Sequence, residues 1–333
     1  MSQLISVIGA GSWGNTLANL LAKKGCDVTM WVFETDQLAE MEKTRRNERY
    51  LPGISLPESL KLTGDLQAAV QSADVLVMAV PSHAMRIVCE KISDSVRDNQ
   101  IIVNVAKGIE NDTLKRMSEV IGEVLPVSEK QIATLYGPSH AEEVAREIAT
   151  AVVAASTNLE TARIVRDLFA TEYFRVYSGT DIIGVEIGGS VKNVVAIAAG
   201  ICDGAGFGDN TKAALLTRSL AEIQRLGVVL GARPETFAGL SGIGDLIVTC
   251  MSKHSRNRHV GEQIGRGRTL EEILGEMVMV AEGVKTTRSV HQLSKKLKLE
   301  MPISEQVYEV LFHNKNPHEA VAELMTREAK DEH

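Results

Sequence analysis

The sequence predicts an α/β protein: a doubly wound, mostly parallel sheet over residues 1–180, followed by an all-helical domain over residues 181–333. Three observations support this. Short β-rich runs alternate with helix-length amphipathic stretches through the first half, the pattern of strand–helix–strand units that build a parallel sheet. A glycine-rich turn joins the first run to the first helical stretch. Strand signals then stop at Asp181, beyond which the segments read as helices.

The expected strands are "LISVIG", "DVTMWVFE", "ADVLVMAV", "QIIVNVA", "QIATLYG" and "TAVVAAS", with "FRVYS" (174–178) as a last strand at the sheet edge. The first helix is expected to run to about Lys24. In the second half "DIIGVEIGGSVKNVVAIAAGI", "TKAALLTRSLAEIQRLGVVLG" and "ISEQVYEVLFH" read as helices. No stretch rich in Pro or Ser separates the halves, so they are expected to pack together with a crevice between them. There is no internal repeat.

Composition narrows the function classes. An apolar content of 44% in 333 residues supports a substantial core in two domains. The formal net charge of −7 repels a polyanion, which argues against nucleic acid and makes a small anion the expected target of any local basic cluster. Cys26, Cys89, Cys202 and Cys250 are far apart and show no metal-ligand spacing with His, as expected for free thiols in a reducing, cytoplasmic compartment with no bound metal. The longest uninterrupted apolar run, "VVAIAAGIC", falls well short of the roughly 20 residues that span a bilayer, so no stable membrane insertion is expected. The charged end "TREAKDEH" reads as a solvated helix end.

"ISVIGAGSWGNTLANLLAKKG" sets Gly9, Gly11 and Gly14 between a strand and a helix. This is the dinucleotide-binding fingerprint in its proper context, a Rossmann-like start: glycines permit the tight turn and close backbone approach, and pyrophosphate sits at the helix N-terminus. Ser12 and Trp13 lie in the loop and are expected to touch the cofactor. Glu34, at the expected end of the second strand, stands where an acid hydrogen-bonds the ribose 2′-hydroxyl of NAD and repels the 2′-phosphate of NADP. In the alternative, Glu34 faces solvent and Arg45 or Arg46 folds back to take that phosphate.

Ligands of open α/β sheets collect beyond the carboxyl ends of the strands. Pro81-Ser82, Lys107-Gly108 and Gly137-Pro138-Ser139 occupy three such ends. Lys107 there can face a phosphate or carbonyl oxygen, or merely be solvated, and Ser139 can serve as a cap of the helix "HAEEVAREI". In the second half, Lys192 has Gly188, Gly189, Val195 and Ala196 as its i±3 and i±4 neighbours and no acid among them. A lysine on so apolar a face either snorkels out or is desolvated and serves as general acid or base. Asn193 is placed to orient Lys192 or a substrate hydroxyl. The stretch "GDLIVTCMSKHSRNR" (244–258) adds Asp245, expected to bind a polyol or pair with a lysine, and then Lys253, His254, Ser255, Arg256, Asn257 and Arg258. Guanidinium forks with neutral Ser and Asn donors suit a substrate phosphate, and a solvated charge run is the alternative.

Together "GAGSWG", "VPSH", "AKG", "GPSHAEE", "GGSVKNV", "DGAGFGDN", "SGIGDLIVTC" and "SRNR" resemble the soluble NAD(P)-dependent glycerol-3-phosphate dehydrogenases of bacteria, from residue 4 to about residue 330. The resemblance implies interconversion of dihydroxyacetone phosphate and sn-glycerol 3-phosphate, supply of phospholipid head groups, and a homodimer. It implies that Lys192 transfers the proton and that Lys107 is shared by cofactor and substrate. Asp245, Ser255, Arg256 and Asn257 match substrate positions, as do Gly137 and Ser139, the latter where many members have Thr. Ser12, Trp13, Ala141, Val280, Glu282 and Arg256 match cofactor contacts. Phe33 and Glu34 depart from the His or Arg of many members, a departure that argues against NADP preference. Two other readings are a catalytically silent dinucleotide-binding redox sensor, and a related dehydrogenase acting on a hydroxy acid.

Overall fold

The computed structural model describes residues 3–277, 279–329 and 331–332. Eight strands form one sheet: β1 (Leu4–Ile8), β2 (Asp27–Trp31), β3 (Lys61–Thr63), β4 (Val75–Met78), β5 (Ile101–Asn104), β6 (Ile132–Tyr136), β7 (Thr150–Ala155) and β8 (Phe174–Gly179). Their order is β3-β2-β1-β4-β5-β6-β7-β8. All neighbours are parallel except β6 and β7. Around this sheet lie α1 (Ser12–Lys23), α2 (Thr35–Thr44), α3 (Leu66–Ser72), α4 (Met85–Ile92), α5 (Met117–Val124), α6 (Ala141–Val144) and α7 (Leu159–Phe169). Strands β4 and β6 are buried along their whole length, as expected of strands covered on both faces. The order reverses between β1 and β4, and the crevice beyond their carboxyl ends is where such sheets bind ligands.

Two features of the sheet escape the sequence pattern. Strand β3 has only three residues and no buried face, so it carries no alternation to read. The antiparallel return of β7 follows from the single-turn α6, which is too short to cross the sheet face as the other helices do.

The second half comprises α8 (Ile182–Gly204), α9 (Asp209–Val229), α10 (Asp245–Met251), α11 (Arg256–Gly265), α12 (Leu270–Glu276), α13 (Glu282–Leu297), α14 (Pro302–His313) and α15 (Pro317–Met325), with a wide π turn at Leu240–Gly244. The Asp181 side chain accepts from Gly184 N at 2.9 Å and caps α8. Helix α8 is the axis of the domain. A methyl at Gly200 would collide with the carbonyl oxygen of Arg258, and one at Gly261 with that of Ile197, so glycines bring α8 and α11 into backbone contact. By length and mean hydropathy (1.5) α8 could cross a membrane, contrary to the expectation from uninterrupted runs, because Gly, Ser, Lys and Asn break up its apolar residues. However, 94% of its apolar window is buried within the protein, which marks a core helix. The charged C-terminal stretch lies beyond α15: Thr326–Ala329 are exposed, and Lys330 and His333 fall outside the described residues.

Candidate active site

A cleft of about 580 Å³ opens at the carboxyl ends of the central strands, between the sheet and the helical domain. At one end stands the glycine loop. Gly9 has φ +117°, and a Cβ there would lie 2.8 Å from the Ala79 carbonyl oxygen, so the turn demands glycine. A Cβ on Gly14 would overlap the Gly9 carbonyl oxygen; Gly14 stands behind the cleft and lets α1 start directly under the loop. Gly11, by contrast, has only open space where its Cβ would be. It is the N-cap of α1, with no side-chain cap and no acid in the first turn. The N–H groups of Ser12, Trp13 and Gly14 are therefore left without a side-chain acceptor, at the positive end of a helix. Gly11, Ser12 and Trp13 line the cleft, and this cradle fits the pyrophosphate of a dinucleotide.

Strand β2 ends at Trp31, three residues short of the expected Glu34. Glu34 is instead the N-cap residue of α2. It lines the cleft, and its Oε1 accepts from the Tyr50 hydroxyl at 3.1 Å. Phe33, 67% exposed, packs edge-on to Trp31 and lines the same end. Arg45 is turned away, its guanidinium donating to the Pro57 and Leu60 carbonyls. Arg46 faces Glu48 at 3.6 Å. Neither arginine folds back onto the cleft.

The other end joins the two domains. Lys107, from the loop after β5, donates to Asp245 Oδ2 at 2.7 Å and to the Gly137 carbonyl at 3.1 Å. Lys192, from α8, donates to Asp245 Oδ1 at 2.5 Å and to Thr249 Oγ1 at 2.5 Å. Thr249 in turn donates to the Asp245 carbonyl one helical turn earlier, at 2.6 Å. The acid that Lys192 lacks among its i±3 and i±4 neighbours thus comes from α10, and Lys192, 5% exposed, is buried with a partner rather than snorkelling. Asp245 is 1% exposed and stands behind both lysines, with each oxygen committed to one of them. Burial pushes the Lys192 ammonium down to about 8; Asp245 opposes that shift, Lys107 adds to it and the Cys250 thiol weakly opposes it. Next to Lys192, burial also lowers His140 below the usual histidine range.

The basic stretch divides. Arg256 lines the cleft and makes no ion pair with another described residue. Ser255 caps α11, its Oγ accepting from Arg258 N at 3.2 Å. Asn257 Oδ1 accepts from Gly283 N at 2.9 Å, which commits its carbonyl and leaves its NH₂ for the cleft. Arg258 points elsewhere: its Nη2 lies 2.6 Å from Asp203 Oδ2 on α8, so only one of the two guanidinium groups faces the cleft. Lys253 is exposed outside the cleft, while the His254 ring lines it, 5.8 Å from His140.

Pro81, Ala141, Val280 and Glu282 line the cleft as well, and Glu282 accepts from Ser82 N at 3.1 Å and from Ser82 Oγ at 2.5 Å. Asn193 lines the cleft too, but its amide forms no hydrogen bond with Lys192. Ser139 does not cap the following helix. The N-cap residue is His140, and Ser139 Oγ donates to the Gly137 carbonyl at 3.0 Å. Gly137, at φ +152°, lies behind the cleft wall. Sequence reasoning overlooked Thr249, Tyr50, His140 and the Ser82 side chain. Thr249 is readable as the i+4 neighbour of Asp245 on one helix face, and Ser82 stands at a strand end read from the sequence, though nothing local shows that its side chain meets Glu282; Tyr50 and His140 carry no such signal.

Comparison with known proteins identifies the family. Residues 4–162 match the model of the NAD-dependent glycerol-3-phosphate dehydrogenase N-terminus, and residues 181–322 that of its C-terminus. The chain is 58% identical to a glycerol-3-phosphate dehydrogenase [NAD(P)+] of Chlorobium phaeobacteroides (strain BS1), over 98% of each chain. It is 56% identical to that of Citrifermentans bemidjiense, over 100% of this chain and 99% of the relative. The crystal structure of glycerol-3-phosphate dehydrogenase from Coxiella burnetii superposes with a TM-score of 0.94 at 39% identity, covering 98% of this chain and 99% of the other. This chain belongs to the NAD-dependent glycerol-3-phosphate dehydrogenase family.

Proposed function

We propose that this protein interconverts dihydroxyacetone phosphate and sn-glycerol 3-phosphate, using NAD(H) or NADP(H), and so supplies glycerol 3-phosphate for phospholipid synthesis. The observation that carries the reading is the meeting of Lys107 and Lys192 on the buried carboxylate of Asp245, beside an unpaired Arg256 and in the same cleft as the glycine loop.

Gly9, Gly11, Ser12, Trp13 and Gly14 would hold the cofactor pyrophosphate. Phe33 and Glu34 would hold the adenosine end, and Pro81, Lys107, Ala141, Arg256, Val280 and Glu282 the remainder. Reduced nicotinamide, when bound, supplies the hydride. The carbonyl oxygen of the substrate gains negative charge as it is reduced, and protonated Lys192 donates its proton there. Asp245 and Thr249 aim that ammonium. Lys107 adds a second positive charge where the alkoxide develops. Arg256, the Asn257 NH₂ and Ser255 grip the phosphate, and Ser139 and Asn193 border the glycerol backbone. Binding energy from that remote phosphate can hold the carbonyl in line, so its loss lowers turnover as well as affinity.

The tie from Tyr50 to Glu34, and the engagement of Arg45 and Arg46 elsewhere, support a preference for NAD over NADP. The domain boundary falls at residues 180 and 181, a division supported by the end of β8 at Gly179 and the cap of α8 at Asp181. The family resemblance supports a cytoplasmic homodimer, which light scattering would test. The direct test of the activity is oxidation of NADH and of NADPH by dihydroxyacetone phosphate, with Lys192→Ala as control. Turnover that collapses in the variant supports the reading; nucleotide binding without turnover overturns it.

A further inference from the structure

Lys107 and Lys192 come from different domains, so their spacing depends on how those domains are fastened. The fastening lies one and two-thirds turns before Lys192 on the same helix, at Glu186. Glu186 is 1% exposed and does not face the cleft. Its carboxylate accepts from Asn104 Nδ2 at 3.0 Å, Ser118 N at 2.9 Å, Ser118 Oγ at 2.5 Å and Arg116 Nη1 at 2.7 Å. All of these donors belong to the sheet domain.

Asn104 links this joint to the other lysine. It is the last residue of β5, immediately before the loop that carries Lys107. Its Oδ1 accepts from Ala106 N at 3.0 Å, and its Nδ2 also donates to the Tyr136 hydroxyl at 3.0 Å. That hydroxyl donates to the Ala106 carbonyl. The Tyr136 ring lies 5.5 Å below the Lys107 ammonium and packs against Gly189, where a Cβ would strike it. On the far side of the loop, Ser190 Oγ donates to the Gly108 carbonyl at 3.2 Å. The loop of Lys107 and the helix of Lys192 are thus pinned by one buried network.

We propose that Glu186 is a positioning residue, which through Asn104 and Tyr136 sets the register between Lys107 and Lys192 across Asp245. This inference rests on the reading of the cleft as the dehydrogenase site. Glu186 itself touches no reacting atom. Its four contacts are all donors, two to each oxygen, so the NH₂ of a glutamine must face two of them and can accept from neither.

The experiment compares wild type with Glu186→Gln, and with Asn104→Ser in case the first variant does not fold. It measures NADH affinity, kcat and KM for dihydroxyacetone phosphate per NADH-binding site, the pH profile of kcat, and the melting temperature. The expected result is NADH affinity within about twofold, kcat lowered about tenfold or more as for a displaced catalytic group, and partial recovery in Glu186→Asp. The alkaline limb of kcat should also move to higher pH. Lys192 is faced by Asp245, Lys107, Cys250 and His140; letting Lys107 drift away removes a like charge and strengthens proton binding. Unchanged kcat per NADH-binding site in the folded variants overturns the proposal, as does loss of NADH binding in step with kcat. Failure of wild type itself to turn over would instead overturn the functional reading.

Discussion

Lys192 Nζ and Asp245 Oδ1 meet 2.5 Å apart at a place that water barely reaches. An ammonium buried there without a carboxylate would shed its proton, because burial disfavours the charged form. Asparagine in place of Asp245 keeps the shape and removes the charge. Lys192 then loses the main influence that keeps its proton near neutral pH. Asp245→Asn should lower kcat for dihydroxyacetone phosphate reduction on the order of 100-fold or more, the range for loss of a general acid, with NADH affinity nearly unchanged. Steady-state kinetics with fluorescence titration of NADH checks both. Unaltered turnover would remove Asp245 from any part in the proton's control.

The same pair sets the pH dependence. With Lys192 pushed down to about 8, the protonated form that the proposed proton transfer needs dominates below that pH. Above it, the reduction rate should fall about tenfold per pH unit, as one required proton is lost. Oxidation of glycerol 3-phosphate needs neutral lysine, so its rate should instead rise with pH up to about 8 and level off. Profiles of kcat in the two directions should therefore mirror each other about one pH. Profiles that fall together at high pH would assign the titration to a different group.

How much of this was legible in the sequence depends on distance along the chain. The strands and the glycine loop are local patterns, and the loop's position between a strand and a helix made its reading specific. The partner of Lys192 lies 53 residues away on another helix, so local spacing could show only that an acid was missing. Arg256 and Arg258 could have been separated: residues two apart on a helix point to different sides, and α11 sends one to the cleft and the other to Asp203. Tyr50 reaches Glu34 only through the chain reversal between α2 and β3, which no periodicity encodes.

That division between the two arginines gives a paired test. Arg256→Ala should raise KM for dihydroxyacetone phosphate and lower kcat, and should make a much smaller difference with dihydroxyacetone, where only its proposed cofactor contact is lost. Arg258→Ala should leave kinetics near wild type but cost roughly 2 kcal/mol of stability, the scale of a lost hydrogen bond to a charged group, since it removes one of the ties from Asp203. Kinetics and thermal melts on both variants decide it. A kinetic defect confined to Arg258→Ala would reverse the assignment.

Cofactor choice should respond to Glu34 and, more weakly, to Tyr50. On the proposed reading, removing the Glu34 carboxylate would take away repulsion of a 2′-phosphate and a hydrogen bond to the 2′-hydroxyl, so Glu34→Ala should shift the ratio of kcat/KM for NADPH over NADH upwards, on the order of tenfold. Tyr50→Phe loses the hydroxyl that holds the carboxylate at 3.1 Å and should shift the ratio the same way by less. A ratio unchanged in both variants would mean that this end of the cleft does not read the ribose.

The glycines of the loop separate folding from binding. A methyl on Gly14 would overlap the Gly9 carbonyl oxygen, a backbone atom that cannot move without opening the turn. Gly14→Ala should therefore lower the melting temperature and abolish NADH binding together. Gly11 has φ −69° and open space where a methyl would go, so Gly11→Ala should fold and melt like wild type. Its added methyl nonetheless enters the space that the pyrophosphate would occupy, at the unclaimed N–H groups of α1. NADH affinity in this variant should fall about tenfold or more, the cost of about 1.4 kcal/mol of lost contact. Calorimetric melting with and without NADH separates the cases: an unliganded melt equal to wild type, with a smaller upward shift on adding NADH, is the expected result for Gly11→Ala. An equal shift would place the pyrophosphate away from this turn.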